Sequence, residues 1–200
     1  MGKRCFDLVL ASLGVLCLAP LFLVIALLIK CDSHGPVFFR QERVGRGGKT
    51  FRIHKFRTMF VQGESGPQLT VGADPRITRV GGWLRRYKLD ELPQLLDVVH
   101  GDMSLVGPRP EVPRYVALYP PELRTIVLSV KPGITDRASI EFVDESTVLA
   151  QAADPHEAYV TQILPAKLAH YARYAREHTF TGDLRILLAT CAAVLRKPGR

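Results

Sequence analysis

The chain has 200 residues, 27 Lys and Arg against 19 Asp and Glu, a formal net charge of +8 and a pI near 9.6. A basic balance of this size suits an anionic surface or an anionic substrate. The four cysteines, Cys5, Cys17, Cys31 and Cys191, form no CxxC pair, which excludes a disulfide scaffold and a zinc ribbon; they read as buried apolar residues in a reducing compartment.

Leu8 to Ile29 is an apolar run with Pro20 near its centre. A helix of about 22 residues rises roughly 33 Å, enough to cross a bilayer core of about 30 Å. Lys3 and Arg4 precede it, and Lys30, Arg40, Arg43, Arg46, Lys49, Arg52, Lys55 and Arg57 follow. Lys and Arg gather on the cytoplasmic flank of a span, and here both flanks are basic. A helix that enters the membrane, bends at Pro20 and leaves by the same face satisfies both ends, because proline removes one helical hydrogen bond and crowds the preceding turn. A cleaved signal peptide, a plain spanning anchor and a buried helix of a soluble protein are the alternatives. Lys30 stands where a cleavage site needs a small residue, and a run apolar on every face disfavours the soluble helix. The anchor also sets nucleic acid aside as a partner. The reading divides the chain into a re-entrant membrane helix, residues 1–31, and a cytoplasmic membrane-associated domain, residues 32–200. The fold class is α+β, mainly helical, with a β-hairpin and amphipathic interfacial helices.

Residues 34–60 read as that hairpin. Pro36–Phe39 and Thr50–Ile53 are β-prone, with Gly45-Arg46-Gly47-Gly48 as the turn. A polar loop is expected over 61–75. Helices are expected over 76–87 and 92–99, the second with Pro93 in its first turn and Gly101 just past its end. Residues 101–114 read as an ordered loop, and 121–130 as a helix that stops before Pro132. Asp154-Pro155-His156-Glu157 opens another helix, kinked at Pro165 on its way to Arg176. A last helix starts near Thr181 or Gly182, with Leu184, Leu187, Leu188, Cys191 and Val194 or Leu195 on one side, bordered by Arg185, Arg196 and Lys197. It either lies in the headgroup region or packs on the domain core.

Three clusters carry chemistry. In Lys88-Leu89-Asp90-Glu91-Leu92-Pro93-Gln94, two carboxylates lie at the start of a helix, just after Arg85, Arg86 and Lys88. Acid beside base suits a site holding Mg²⁺ and a diphosphate together, since carboxylates ligate a hard cation and cations neutralise phosphate oxygens. A carboxylate also serves as a nucleophile that forms an acyl phosphate; plain helix capping is the competing reading. In Gly107-Pro108-Arg109-Pro110, flanking prolines pre-aim a guanidinium suited to bidentate phosphate contact, or mark a rigid surface turn. In Lys55-Phe56-Arg57-Thr58, the cations reach a phosphate or end a solvated strand.

In this order, behind an apolar N-terminal helix, these clusters resemble the bacterial sugar transferase family, the small monotopic polyprenyl-phosphate phosphoglycosyl transferases. The resemblance is carried by Lys3–Asp7, the run with Pro20, Gly35–Gly45, Lys55–Met59, Leu89–Gln94 and Gly101–Pro110, and resumes at Asp183–Leu188. It implies transfer of a sugar 1-phosphate from a UDP-sugar to a polyprenyl phosphate, usually undecaprenyl phosphate, with release of UMP at the cytoplasmic face of the bacterial inner membrane. This would be the first membrane step of glycoconjugate synthesis. It further implies Asp90 as a nucleophile that also contacts Mg²⁺, Glu91 as a required partner, and Lys55 and Arg109 as phosphate or nucleotide ligands. Arg57 and Arg85 join them as substrate-binding candidates. The sugar, the glycan pathway and homodimer formation are left open. The chain departs from the family pattern at Ala19-Pro20, where many members carry Ser-Pro, and from Asp136 to about residue 180, the stretch expected to set sugar choice. Two other functions compete: a non-catalytic basic adaptor on the membrane surface, and a CDP-alcohol type phospholipid synthase. The synthase would want several spans with spaced aspartates, which the sequence lacks.

Overall fold

The computed structural model describes residues 2–61, 74–141 and 149–196, with side chains as far as residue 193. It is a mixed, mostly helical fold. The first element, α1 (Gly2–Asp32), is one helix of 31 residues, about 46 Å long at the ordinary rise. Pro20 lies inside it, and the helical assignment runs on through that position. It is the one helix among the described residues long and apolar enough to cross a membrane.

One stripe of α1 packs on the rest of the fold along its whole length. Asp7, Ala11, Ile25 and Ile29 are buried, and Phe6, Leu21 and Phe22 fill in beside them. The spacing of 3 and 4 residues is that of one helical face. The other faces expose Leu13, Leu16, Leu23 and Leu27; Leu16 is 72% accessible. The basic start of α1 is tied into the fold. Lys3 pairs with Asp183 at 2.6 Å, and Arg4 donates to the carbonyls of Val98 and Val99 at 2.6 and 3.1 Å. All four cysteines are exposed, which corrects the expectation of burial: a face turned away from the domain keeps apolar residues uncovered.

The hairpin is formed by β1 (Phe38–Val44) and β2 (Thr50–Phe56), antiparallel, with Phe38 opposite Phe56 and Val44 opposite Thr50. Gly47 and Gly48 turn the chain with φ of 69° and 78°. The first strand starts two residues later than expected and continues through Arg40 to Val44. Then come α2 (Arg79–Arg86), capped by Thr78 Oγ1, and α3 (Gln94–His100), closed by Gly101 at φ 98°. The loop expected over 61–75 lies, apart from Val61, Asp74 and Pro75, outside the described residues. The stretch 101–114 is more than a loop, because β3 (Ser104–Val106) pairs in parallel with β4 (Gly133–Thr135). Between them lie α4 (Pro113–Val116) and α5 (Pro121–Val127). The short α6 (Arg137–Glu141) follows.

Past residue 148, α7 (Pro155–Ala158) is capped by Asp154 Oδ1, which accepts from the amides of His156 and Glu157. A π-helical turn, Tyr159–Ile163, leads into α8 (Leu164–Glu177). The expected kink at Pro165 is absorbed by that turn, since Pro165 falls in the first turn of α8, where its missing N–H costs nothing. The last helix is α9 (Phe180–Arg196). Ile186 and Leu187 pack on the core while Leu184 and Leu188 stay exposed, so the predicted apolar side is split between core and outer surface.

Candidate active site

The site lies where the end of β2 meets the turn before α3 and the proline-flanked loop after β3. Asp90 and Glu91 occupy a 3-10 turn, Leu89–Glu91, that follows Lys88 in the left-handed region at φ 56°. The chain reverses there, and Pro93 then starts α3 without a side-chain cap. Neither carboxylate caps the helix, which removes the capping reading.

Glu91 is the hub. Its Oε1 accepts from Lys55 Nζ at 2.8 Å, and its two oxygens take the fork of Arg109, Nη1 at 3.0 Å on Oε2 and Nη2 on Oε1. Burial alone would raise the Glu91 carboxyl, but Arg109 and Lys55 outweigh it and hold it well below the usual carboxylate range. The same contact raises Arg109. For Lys55 burial wins, and its ammonium is pulled below its ordinary value despite Glu91.

Asp90 is the contrast. It is buried, 9% accessible, and its carboxylate has no hydrogen-bond or ion-pair partner among the described residues. Burial first, and the neighbouring Glu91 second, push its carboxyl up against the pull of Lys55, Arg85 and Lys88. Two adjacent carboxylates are thus driven apart, one locked as an anion and the other held more basic and unengaged. That separation is how two like groups acquire different roles.

Arg85 reaches the same region, its Nε held by Thr58 Oγ1 at 2.8 Å. Arg57 does not. Its buried guanidinium donates to Ser33 Oγ, Ser33 O and Pro36 O at 2.6–2.8 Å, strapping the chain that leaves α1 to the end of β2. Pro20 lies in α1, away from these side chains. Gly107 and Gly133 fix the loop that carries Arg109. A Cβ on Gly133 would meet Gly107 N at 2.1 Å, so only glycine lets β4 approach there.

Sequence reasoning missed Arg43 as a site residue. The two-residue alternation of β1 puts Phe39, Gln41 and Arg43 on one face, and the register sets Phe39 opposite Lys55. Arg43 Nη1 donates to Pro110 O at 3.1 Å, and its Nε is buried without a partner. Glu111, beside it, was also missed.

A partly buried anion locked between two cations, next to a buried carboxylate without partners among the described residues and beside an apolar helix exposed on its outer faces, is a layout suited to phosphate esters. The chain belongs to the bacterial sugar transferase family, which it matches over residues 1–197. It is 37% identical over 96% of its length to the UDP-N-acetylgalactosamine-undecaprenyl-phosphate N-acetylgalactosaminephosphotransferase of Aeromonas hydrophila, covering 43% of that protein. It is 37% identical over 98% of its length to the UDP-glucose:undecaprenyl-phosphate glucose-1-phosphate transferase of Caulobacter vibrioides, covering 70% of it. It is 34% identical over its full length to the exopolysaccharide production protein ExoY of Rhizobium meliloti, covering 88%. The chain therefore spans less than half of the Aeromonas relative and most of the ExoY protein.

Proposed function

We propose that the chain is a phosphoglycosyl transferase that moves a sugar 1-phosphate from a UDP-sugar to undecaprenyl phosphate, releasing UMP. The observation that carries the reading is the split between Asp90 and Glu91. An Asp90 oxygen attacks the sugar-bearing phosphorus of the UDP-sugar. The bond from that phosphorus to the bridging oxygen breaks, and UMP leaves with the electron pair. An oxygen of the lipid phosphate then attacks the aspartyl phosphosugar, the bond from Asp90 to phosphorus breaks, and the carboxylate is restored with a polyprenyl diphosphate sugar as product. Splitting one transfer into two lets the water-borne and lipid substrates arrive in turn.

Phosphoryl transfer is mostly positioning and charge neutralisation. Arg109 and Lys55 supply the cations, and Glu91 holds both in place until phosphate oxygens compete for them. Arg85 adds a third positive charge. A carboxylate without protein partners fits Mg²⁺, which commonly takes one or two carboxylates and completes its shell with phosphates and water. Asp90 would hold it. When bound, the ion neutralises charge on the diphosphate.

The packing of α1 supports a re-entrant or in-plane anchor on the cytoplasmic face of the inner membrane. Asp7 and Ile29 are about 33 Å apart along the helix, yet both are buried against the same fold. A helix crossing the bilayer would pull one of these contacts through the hydrocarbon, or the half-buried ion pair of Lys3 with the buried Asp183.

A screen of UDP-sugars for UMP release, with undecaprenyl phosphate and Mg²⁺, tests the reaction class and the sugar together. Release with one sugar nucleotide and its loss in Asp90→Asn supports the reading. No release from any of them, by a folded and membrane-bound protein, favours the adaptor, and a requirement for CDP-linked substrates favours the phospholipid synthase.

A further inference from the structure

Arg109 sits in a loop tied down on both sides of it. Gly133 N donates to Pro108 O at 2.9 Å, Arg43 Nη1 to Pro110 O at 3.1 Å, and Val44 N to Glu111 O at 2.9 Å. The two prolines restrict the backbone further. One more tie comes from the π-helical turn Tyr159–Ile163. Tyr159 Oη donates to Glu111 Oε1 at 2.6 Å, while Glu111 Oε2 faces Arg43 Nη1 at 3.7 Å.

This contact is not what an apolar core would choose. Tyr159 and Glu111 are both buried, 2% and 7% accessible, amid Val44, Val112, Tyr115 and Val116. A buried carboxylate is costly unless it is paired and hydrogen-bonded. Phenylalanine at 159 would keep the ring contact with Tyr115, whose centroid is 4.7 Å away, so the hydroxyl serves Glu111 and not the packing. Tyr159 also opens the π-helical turn Tyr159–Ile163, a widened turn of the kind found at functional sites.

We infer that Tyr159, acting through Glu111, is a positioning residue for Arg109. It links the helices after residue 149 to the phosphate-holding loop, and so gives the divergent part of the chain a hand on the reacting end. This inference rests on the transfer reaction proposed above.

The test uses the full chain in lipid nanodiscs, the UDP-sugar with the highest UMP release, and the variants Tyr159→Phe, Arg109→Lys and their combination. Tyr159→Phe lowers kcat about tenfold with KM for the UDP-sugar nearly unchanged, because small misplacements of a catalytic group cost rate more than binding. In the Arg109→Lys background the same change lowers kcat less than about twofold, since a lost fork has nothing left to aim. Glu111→Gln, which keeps an acceptor for Tyr159, retains more activity than Glu111→Ala. A kcat for Tyr159→Phe within about twofold of wild type, or an equal loss in both backgrounds, overturns the inference. So does full activity of Arg109→Lys, which removes Arg109 from the reaction. If wild type releases no UMP at all, the reaction itself has failed, and hydrogen exchange decides the positioning claim. Faster exchange over residues 107–112 in Tyr159→Phe, with unchanged melting, upholds the tie, and unchanged exchange ends it.

Discussion

Replacing Glu91 by Gln tests the electrostatic design of the site through stability alone. The Glu91 side chain is 16% accessible and its two oxygens face both Lys55 and Arg109. Removing one partner of a buried pair costs about 3–5 kcal/mol, mostly because the other charge is left uncompensated. Here two cations are stranded, but the three side chains keep 16–28% of their surface in water, so the lower part of that range applies. At about 2–4 °C per kcal/mol for a chain of this size, melting falls by roughly 6–16 °C. The pH dependence fixes the cause. Glu91 is held well below the usual carboxylate range in the fold, so its contribution is fully present above the unfolded value near 4.3 and is lost as pH falls through the folded value. Differential scanning fluorimetry in nanodiscs should therefore show a constant gap between wild type and Glu91→Gln from pH 7 to about pH 5, closing only in stronger acid. Adding Arg109→Gln should recover part of the loss, with a coupling of about 1–3 kcal/mol. A gap under about 2 °C, or one that does not depend on Arg109, would refute the reasoning.

Asp90→Asn should abolish UMP release yet raise the melting temperature at pH 7. The Asp90 carboxyl is pushed up by burial, so its ionisation opposes the folded state at pH values above its folded value; the gain should fade in acid as the wild-type carboxyl takes its proton. Arg109→Lys should lower kcat/KM about 10²-fold by losing the fork while keeping the charge, measured by the same UMP assay. Gly133→Ala should destabilise the fold by about 3 kcal/mol or more, because its Cβ would lie 2.1 Å from Gly107 N, and chemical denaturation measures the loss. Cys5 and Cys31 are both exposed near the two ends of α1. With the other cysteines replaced by serine, both should resist membrane-impermeant maleimide added from the periplasm and react after permeabilisation, whereas a spanning helix exposes one of them.

The motif residues were legible because their chemistry is local. A carboxylate pair before a proline, and an arginine between two prolines, announce themselves in a few residues. Their meeting was not legible from spacing, since Glu91 and Arg109 are 18 residues apart, one before α3 and the other after β3, whose short pairing with β4 sits beside the Arg109 loop. Three-residue strands carry too little periodicity to be seen, and glycine at 107 and 133 marks a close approach without naming the partner. Lys3, Arg4 and Arg57 show the converse. Read from the sequence, Lys3 and Arg4 are a membrane flank and Arg57 a substrate-binding candidate, but in the fold each makes an internal tie, to a buried aspartate or to backbone carbonyls. Arg43 and Glu111 were hidden for the same reason: their value lies in holding another residue's loop, and no local pattern records that.

The central claim is that the Asp90 carboxylate carries the sugar phosphate between the two carriers. Intact-mass spectrometry of the acid-quenched protein after incubation with its UDP-sugar, in the absence of polyprenyl phosphate, tests it directly. The account predicts a species heavier by one sugar phosphate that maps to Asp90, disappears in Asp90→Asn and is discharged when undecaprenyl phosphate is added. An active enzyme that never gains this mass, or gains it on another residue, would contradict it.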